Sequence, residues 1–240
     1  MKTTIKGLVL LSLLSAGVLL HAGDITVGTY TNGNCYPLTC NDSGTNMGQT
    51  IDYQQVYAAS QFTSPPYKYH IDSITFDLAA FFGGNNLLLG GTYSLEWGYA
   101  AASSLNNLST NLASNYILGG ANVIRSFTVP AGGFNFGSSL TFPLYGYQFA
   151  YNPKLGNLLL EIIASNQDNI PAGSGNSYLE ADETGSVTSR AYCITNVGCF
   201  ADSVGLVTTF DYAVPTPDSL LLVCTGLLTL AGALRWKKLI

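Results

Sequence analysis

Tyr93-Ser94-Leu95-Glu96-Trp97-Gly98-Tyr99 places a large apolar side chain at every second position and a small or polar residue between. That two-residue period matches the pleat of a β-strand with one buried face, and it does not collect on one face of a helix. The same signal recurs outward from this stretch. Ile74, Phe76 and Leu78 alternate with Thr75 and Asp77. Val123, Arg125, Phe127 and Val129 repeat it less cleanly, and Leu140, Phe142 and Leu144 lead into a second phase of Tyr145, Tyr147, Phe149 and Tyr151. Val204, Leu206, Thr208, Phe210 and Tyr212 close the series. Leu158–Ile163 is almost continuously apolar, which predicts a central strand covered on both faces. Breaks at Gly83-Gly84, Gly90-Gly91, Gly119-Gly120, Gly132-Gly133 and Gly173-Ser174-Gly175 separate the runs. Many short strands divided by turn residues predict an all-β fold, an antiparallel β-sandwich of jelly-roll type. One segment departs from the pattern. Leu105, Leu108 and Leu112 at i, i+3 and i+7 predict a short helix over Ser103–Ser114, packed on the edge of the sandwich.

Both ends of the chain differ from this middle. Lys2 and Lys6 precede the apolar run Gly7–Leu20, and Leu20-His21-Ala22 suits a cleavage site, so residues 1–23 read as a secretory signal peptide. The opposite end runs from Val214-Pro215-Thr216-Pro217 through the uncharged, Leu-rich Ser219–Leu234 to Arg235-Trp236-Lys237-Lys238. As a helix the apolar part spans roughly 24 Å, a minimal transmembrane length against a hydrocarbon core of ~30 Å. Arg235, Lys237 and Lys238 form a basic stop on the cytoplasmic side, and Trp236 suits the interface. Three regions follow: residues 1–23, an extracellular domain at 24–212, and a C-terminal signal at 213–240.

The three-part tail resembles the PEP-CTERM sorting signal of Gram-negative bacteria, which exosortase enzymes recognise and remove. Val214, Pro215 and Pro217 match its motif, while Thr216 stands where the family usually has Glu. Three further stretches are similar to a group of uncharacterised exported PEP-CTERM proteins. They are Tyr53-Gln54-Gln55-Val56-Tyr57 with Phe62, Ile71 and Ile74-Thr75-Phe76; Leu108–Asn115; and Phe149 to Ile162, with Pro153, Gly156 and Asn157. The resemblance implies an extracellular β-sandwich without an assigned reaction. It also implies an exosortase-type processing enzyme as partner, the inner membrane as a transient anchor, and a final place on the cell surface or in the exopolysaccharide matrix.

Charge and cysteine content fit export. Between the two signals only Lys68, Arg125, Lys154 and Arg190 are basic, against 13 acidic residues, a formal charge of −9. Such a surface excludes a basic patch for nucleic acid. Of five cysteines, Cys224 lies in the apolar tail. The remaining Cys35, Cys40, Cys193 and Cys199 allow three pairings, and the local ones, Cys35–Cys40 and Cys193–Cys199, close short loops at little entropic cost. A zinc site of four thiolates is the alternative, but the C-x4-C and C-x5-C spacings are longer than those of common zinc knuckles.

Catalytic patterns are scarce. His70 is the single histidine after the leader, so any Ser-His-Asp triad needs it, and its position at a strand entry suits a structural role. No Gly-x-Ser-x-Gly elbow, phosphate loop or His-Glu-x-x-His pattern occurs. Glu96 and Glu161 are the candidates for a glycosidase pair, which requires carboxyls about 5–9 Å apart; glutamates facing solvent from strands are the plainer alternative. Asn41-Asp42-Ser43, Asn166–Asn169 and Asp182-Glu183 offer oxygens for calcium, yet none has the spacing of a calcium loop, and such residues make turns by themselves. Tyr145, Tyr147 and Tyr151 are candidates for a sugar-stacking surface, with core packing as the alternative. The chain therefore reads as a non-enzymatic, surface-sorted protein without metal or cofactor. A carbohydrate-binding module or carbohydrate-active enzyme on the same fold is the second reading.

Overall fold

The stretch at 93–99 is the middle of a ten-residue strand in the computed structural model. That structure describes residues 20–40, 50–62, 68–80, 86–106, 108–117, 122–144, 149–168 and 176–214. The strands in chain order are β1 (Leu20–Val27), β2 (Asn32–Asn34), β3 (Thr50–Tyr57), β4 (Tyr69–Asp77), β5 (Leu87–Leu88), β6 (Gly91–Ala100), β7 (Asn122–Val129) and β8 (Phe134–Asn135). They continue with β9 (Ser139–Pro143), β10 (Ala150–Tyr151), β11 (Asn157–Ser165), β12 (Leu179–Asp182), β13 (Thr188–Ile194), β14 (Gly198–Asp202), β15 (Gly205–Leu206) and β16 (Thr208–Val214). The fold is all-β. Among the described residues there is no α-helix, and no helix is long and apolar enough to cross a membrane.

Contacts divide the chain into two compact units. One is Gly23–Tyr212. The other combines Met1–Ala22 with Ala213–Ile240, of which only 20–22, 213 and 214 are described. β1 begins at Leu20 and β16 ends at Val214, so strand structure runs past both limits set for the central domain from sequence. The core of the signal peptide, Pro215, Thr216, Pro217, the apolar tail and Arg235, Lys237 and Lys238 lie outside the described residues.

Two antiparallel sheets carry the architecture. One has six strands in the order β14-β13-β3-β11-β6-β7, and the other runs β1-β16-β4-β10 with β9 also on β4. β11 lies between β3 and β6, as its unbroken apolar sequence predicts, and Leu158, Leu159 and Leu160 are fully buried. β6 keeps its alternation, with Tyr93, Leu95 and Trp97 at 0 % exposure. The less regular pattern of β7 has a structural cause. Its register jumps from Leu95↔Arg125 to Glu96↔Val123, leaving Ile124 as the extra residue of a β-bulge.

The inner faces of the two sheets meet through aromatic rings. Tyr57 of β3 packs edge-on to Phe210 of β16 at 4.9 Å, Trp97 of β6 lies 6.0 Å from Phe210, and Tyr99 stacks on Tyr151 of β10 at 5.7 Å. The turn after β7 needs glycine. Gly133 has φ 79°, its amide bonds Pro130 O, and a Cβ there would lie 2.5 Å from Leu88 O.

The helix expected over Ser103–Ser114 is not formed. Two 3₁₀ turns, Ala102–Ser104 and Leu112–Asn115, flank irregular chain. Asn and Ser side chains here satisfy the backbone locally instead. Asn115 Oδ1 accepts from Ser109 N (2.7 Å), Ser109 Oγ accepts from Asn111 N, and Ser114 Oγ donates to Asn111 O. The leucine spacing still reports burial, because Leu108 and Leu112 are both covered.

Both local cysteine pairs are bonded. Cys35–Cys40 closes the turn after β2, and Cys193–Cys199 joins directly opposed residues of the β13–β14 hairpin. With all four sulfurs in disulfides, the four-thiolate zinc alternative falls away.

Candidate functional site

Three acidic side chains gather on the outer face of the six-stranded sheet. β11 sits between β3 and β6 with Glu161 opposite Gln54 on one side and opposite Glu96 on the other. Asp52 lies one row along on the same face, opposite Ile163 and Cys193. The glutamates singled out from sequence are thus direct cross-strand neighbours, 65 positions apart in the chain.

A covering segment closes over Glu161. Residues 101–106 leave the end of β6, and residues 108–117 lie on the sheet, burying Leu108 and Leu112 against Val56, Ala100, Leu159 and Ala191. Polar bonds fix it. Gln54 Nε2 donates to Leu112 O (3.2 Å) and to Glu161 Oε1 (2.6 Å), and Gln54 Oε1 accepts from Asn115 Nδ2 (2.8 Å). Tyr116 Oη donates to Glu161 Oε2 (2.7 Å). Ser189 Oγ donates to Leu105 O, and Ile117 N to Tyr99 O. Both oxygens of Glu161 are therefore engaged, and its residue exposure is 7 %.

The electrostatics are those of crowded carboxyls with no counter-ion among the described residues. Burial first, then the charge of Glu161 and a hydrogen bond to it, and lastly Glu96, push Asp52 up to about 7 from an ordinary 3.8. Burial and then Glu161 also raise Glu96. Tyr116 is held far above the usual tyrosine range by burial and by its bond to Glu161. Arg190 and Arg125 belong to other surroundings: Arg190 pairs with Asp202 (2.8 Å), and Arg125 Nη1 donates to Pro143 O.

This geometry does not make a glycosidase groove. A general acid or base has to reach a substrate oxygen or a water, whereas Glu161 lies beneath the covering segment with both oxygens bonded. The arrangement can share and release protons. Asp52 is retained as an acid in the native state between about pH 4 and 7, where the unfolded chain has released that proton, so stability falls as pH rises through this window and levels above it. Partial solvent access reduces the effect to about 1–2 kcal/mol. Urea unfolding at pH 5 and pH 8 is expected to show this loss in the wild type and its disappearance in Asp52→Asn; equal losses in both proteins would assign it elsewhere.

The other sequence candidates are placed as follows. Tyr151 is fully buried in the aromatic core, so it offers no face to a sugar, while Tyr145, Tyr147 and Asn41–Ser43 lie outside the described residues. The aromatic group nearest an edge is Tyr36, Tyr192 and Phe200. Tyr36 stacks on Tyr192 at 5.4 Å, and Tyr192 lies 5.4 Å from Phe200, which is 44 % exposed. The calcium candidates serve turns: Asp182 accepts from Thr29 N and Thr184 N, and Asp168 accepts from Gly132 N. Among the described residues, no group of three or more His, Cys, Asp or Glu side chains is placed to hold a metal ion, Asp52, Glu96 and Glu161 included. His70 sits at the start of β4, partly buried, with Nδ1 unbonded among the described residues.

Asp52 and Tyr116 were not singled out from sequence, and Gln54 entered only as part of the motif at 53–57. Asp52 and Gln54 flank Tyr53 as polar residues at alternate positions, which is ordinary for a solvated strand face. Gln55 then breaks the alternation, and only the register of β3 with β11 reveals the cluster. Comparison with protein families, with curated proteins and with solved structures finds no match.

Proposed function

We propose that this chain is an exported, surface-sorted structural protein of a bacterial envelope or its exopolysaccharide matrix, anchored transiently in the inner membrane and processed at its C-terminal signal by an exosortase-type enzyme. The observation that carries this reading is the pair of local disulfides, Cys35–Cys40 and Cys193–Cys199, in an all-β domain. Disulfides persist in oxidising compartments outside the cytoplasm. The facing sheets support a β-sandwich, and the acidic surface suits an extracellular setting. The tail supplies the address, with Val214, Pro215, Thr216 and Pro217 before the apolar segment and Arg235, Lys237 and Lys238 after it.

Intact-mass measurement of protein extracted from the cell surface tests the proposal. The expected product lacks the apolar tail and ends near Pro215-Thr216-Pro217, the motif that precedes that tail. A surface form that still carries Trp236 would make the tail a permanent anchor and overturn the sorting reading. Thr216→Glu, which restores the residue usual in the motif, is expected to speed maturation.

A further inference from the structure

We propose that residues 108–117 form a proton-controlled strap, shut over an apolar patch of the six-stranded sheet while Asp52 carries a proton and loosened when Asp52 ionises beside Glu161. Three observations lead there. Between residues 112 and 116 the strap is held to the sheet through one polar knot. Leu112, Asn115 and Tyr116 all bond to Gln54 or Glu161, and Gln54 bonds to Glu161. That knot is built on a carboxylate, so it depends on the charges beside it.

The neighbours of Glu161 are of one kind. Its titratable neighbours are Asp52, one row along on β3, Glu96 directly opposite on β6, and Tyr116 from the strap. β13 presents Ala191 and the disulfide-bonded Cys193 on this face, neither of which titrates. On β7, Arg125 pairs with Leu95, on the opposite face of the sheet, and its guanidinium is taken by Pro143 O. No lysine or arginine occurs between Lys68 and Arg125, so the strap itself brings no cation. A single negative charge on Glu161 is accommodated by Gln54 and Tyr116. A second one on Asp52, with Asp52 Oδ1 buried and unbonded among the described residues, has no such support.

Beneath the strap lies apolar surface. Val56, Leu159 and Ala191 on three adjacent strands are covered by Leu108 and Leu112, and all five are buried. Release of the strap exposes this patch while the inner aromatic core between the sheets stays closed. Opening is therefore local, at a lower free energy than global unfolding.

Hydrogen exchange of the purified full chain at pH 5.5 and 8, expressed as protection factors to remove intrinsic base catalysis, tests the proposal. Amides of residues 108–116 are expected to lose protection by about tenfold or more between the two pH values, while those of β3 and β11 hold theirs. Asp52→Asn is expected to keep strap protection high and unchanged with pH. Glu96→Gln, which removes the more distant charge that helps keep Asp52 protonated, is expected to move the transition to lower pH and gives an independent reading if Asp52→Asn folds poorly. Strap protection constant within twofold in the wild type would overturn the proposal. So would a pH response in Asp52→Asn equal to that of the wild type, or, where that variant does not fold, a midpoint in Glu96→Gln identical to the wild type.

Discussion

Replacing Gln55 by Leu is expected to destabilise the domain by about 3–4 kcal/mol, although Leu is close in size and better suited to a buried site. Gln55 is 0 % exposed, and its side chain lies on the inner face of β3. Its Oε1 accepts from Leu206 N (2.8 Å) and from Tyr53 Oη (2.6 Å), and its Nε2 donates to Leu206 O (2.7 Å). One amide thus docks β15 onto β3 and satisfies a tyrosine hydroxyl. Leu206 O keeps a second donor in Thr208 Oγ1, but Leu206 N and Tyr53 Oη lose their acceptor. Each orphaned buried donor costs about 1–3 kcal/mol. The measurement is urea unfolding of Gln55→Leu, Tyr53→Phe and the double variant. The double variant is expected to cost less than the sum of the singles, because Tyr53→Phe removes one of the donors left unpaired. Strict additivity would show that the hydroxyl is not part of the network.

The same residue marks where sequence reading stops. Alternation located β6 and the buried run located β11, since both signals are properties of consecutive residues. The disulfide pairs were legible because Cys35 and Cys40, and Cys193 and Cys199, are close in the chain. Tyr53-Gln54-Gln55-Val56-Tyr57 was legible only as a motif. Gln54 and Gln55 point to opposite faces and both are fully buried, each bonded to chain distant in sequence: Gln54 to Leu112, Asn115 and Glu161, and Gln55 to Leu206. Hydropathy scores two glutamines as polar whether they meet water or an amide.

The strap shows the complementary failure. Leu105, Leu108 and Leu112 correctly signalled a buried side, but helical periodicity does not require a helix. Three leucines can reach one apolar patch from irregular chain when Asn and Ser side chains satisfy the backbone. The carboxyl cluster was half legible. Glu96 and Glu161 were candidates by type, and their meeting depended on the β6–β11 register, which no local pattern encodes. Once the register is known, Glu96 and Glu161 read as members of a crowded acidic cluster rather than as a catalytic pair, because Glu161 lies beneath the covering segment with both oxygens bonded.

Trp97→Ala is expected to cost about 3–5 kcal/mol, the largest effect of any single truncation on the inner face of β6. Trp97 is fully buried where the two sheets meet, with Phe149 stacked at 6.1 Å and Phe210 at 6.0 Å. Removing the indole leaves a cavity bounded by residues of both sheets, and neither can collapse into it without breaking strand pairings that fix β6 against β11 and β7. Trp97→Phe separates ring burial from polar bonding. Trp97 Nε1 has no partner among the described residues, so the indole N–H carries a desolvation cost that phenylalanine does not. The smaller ring loses contact area, but shedding that cost offsets part of the loss, and a penalty of about 1–2 kcal/mol is expected. Chemical unfolding of the two variants decides the matter. If Trp97→Phe is as damaging as Trp97→Ala, the indole N–H is bonded in solution and the stability of this region rests on that bond rather than on the packed ring.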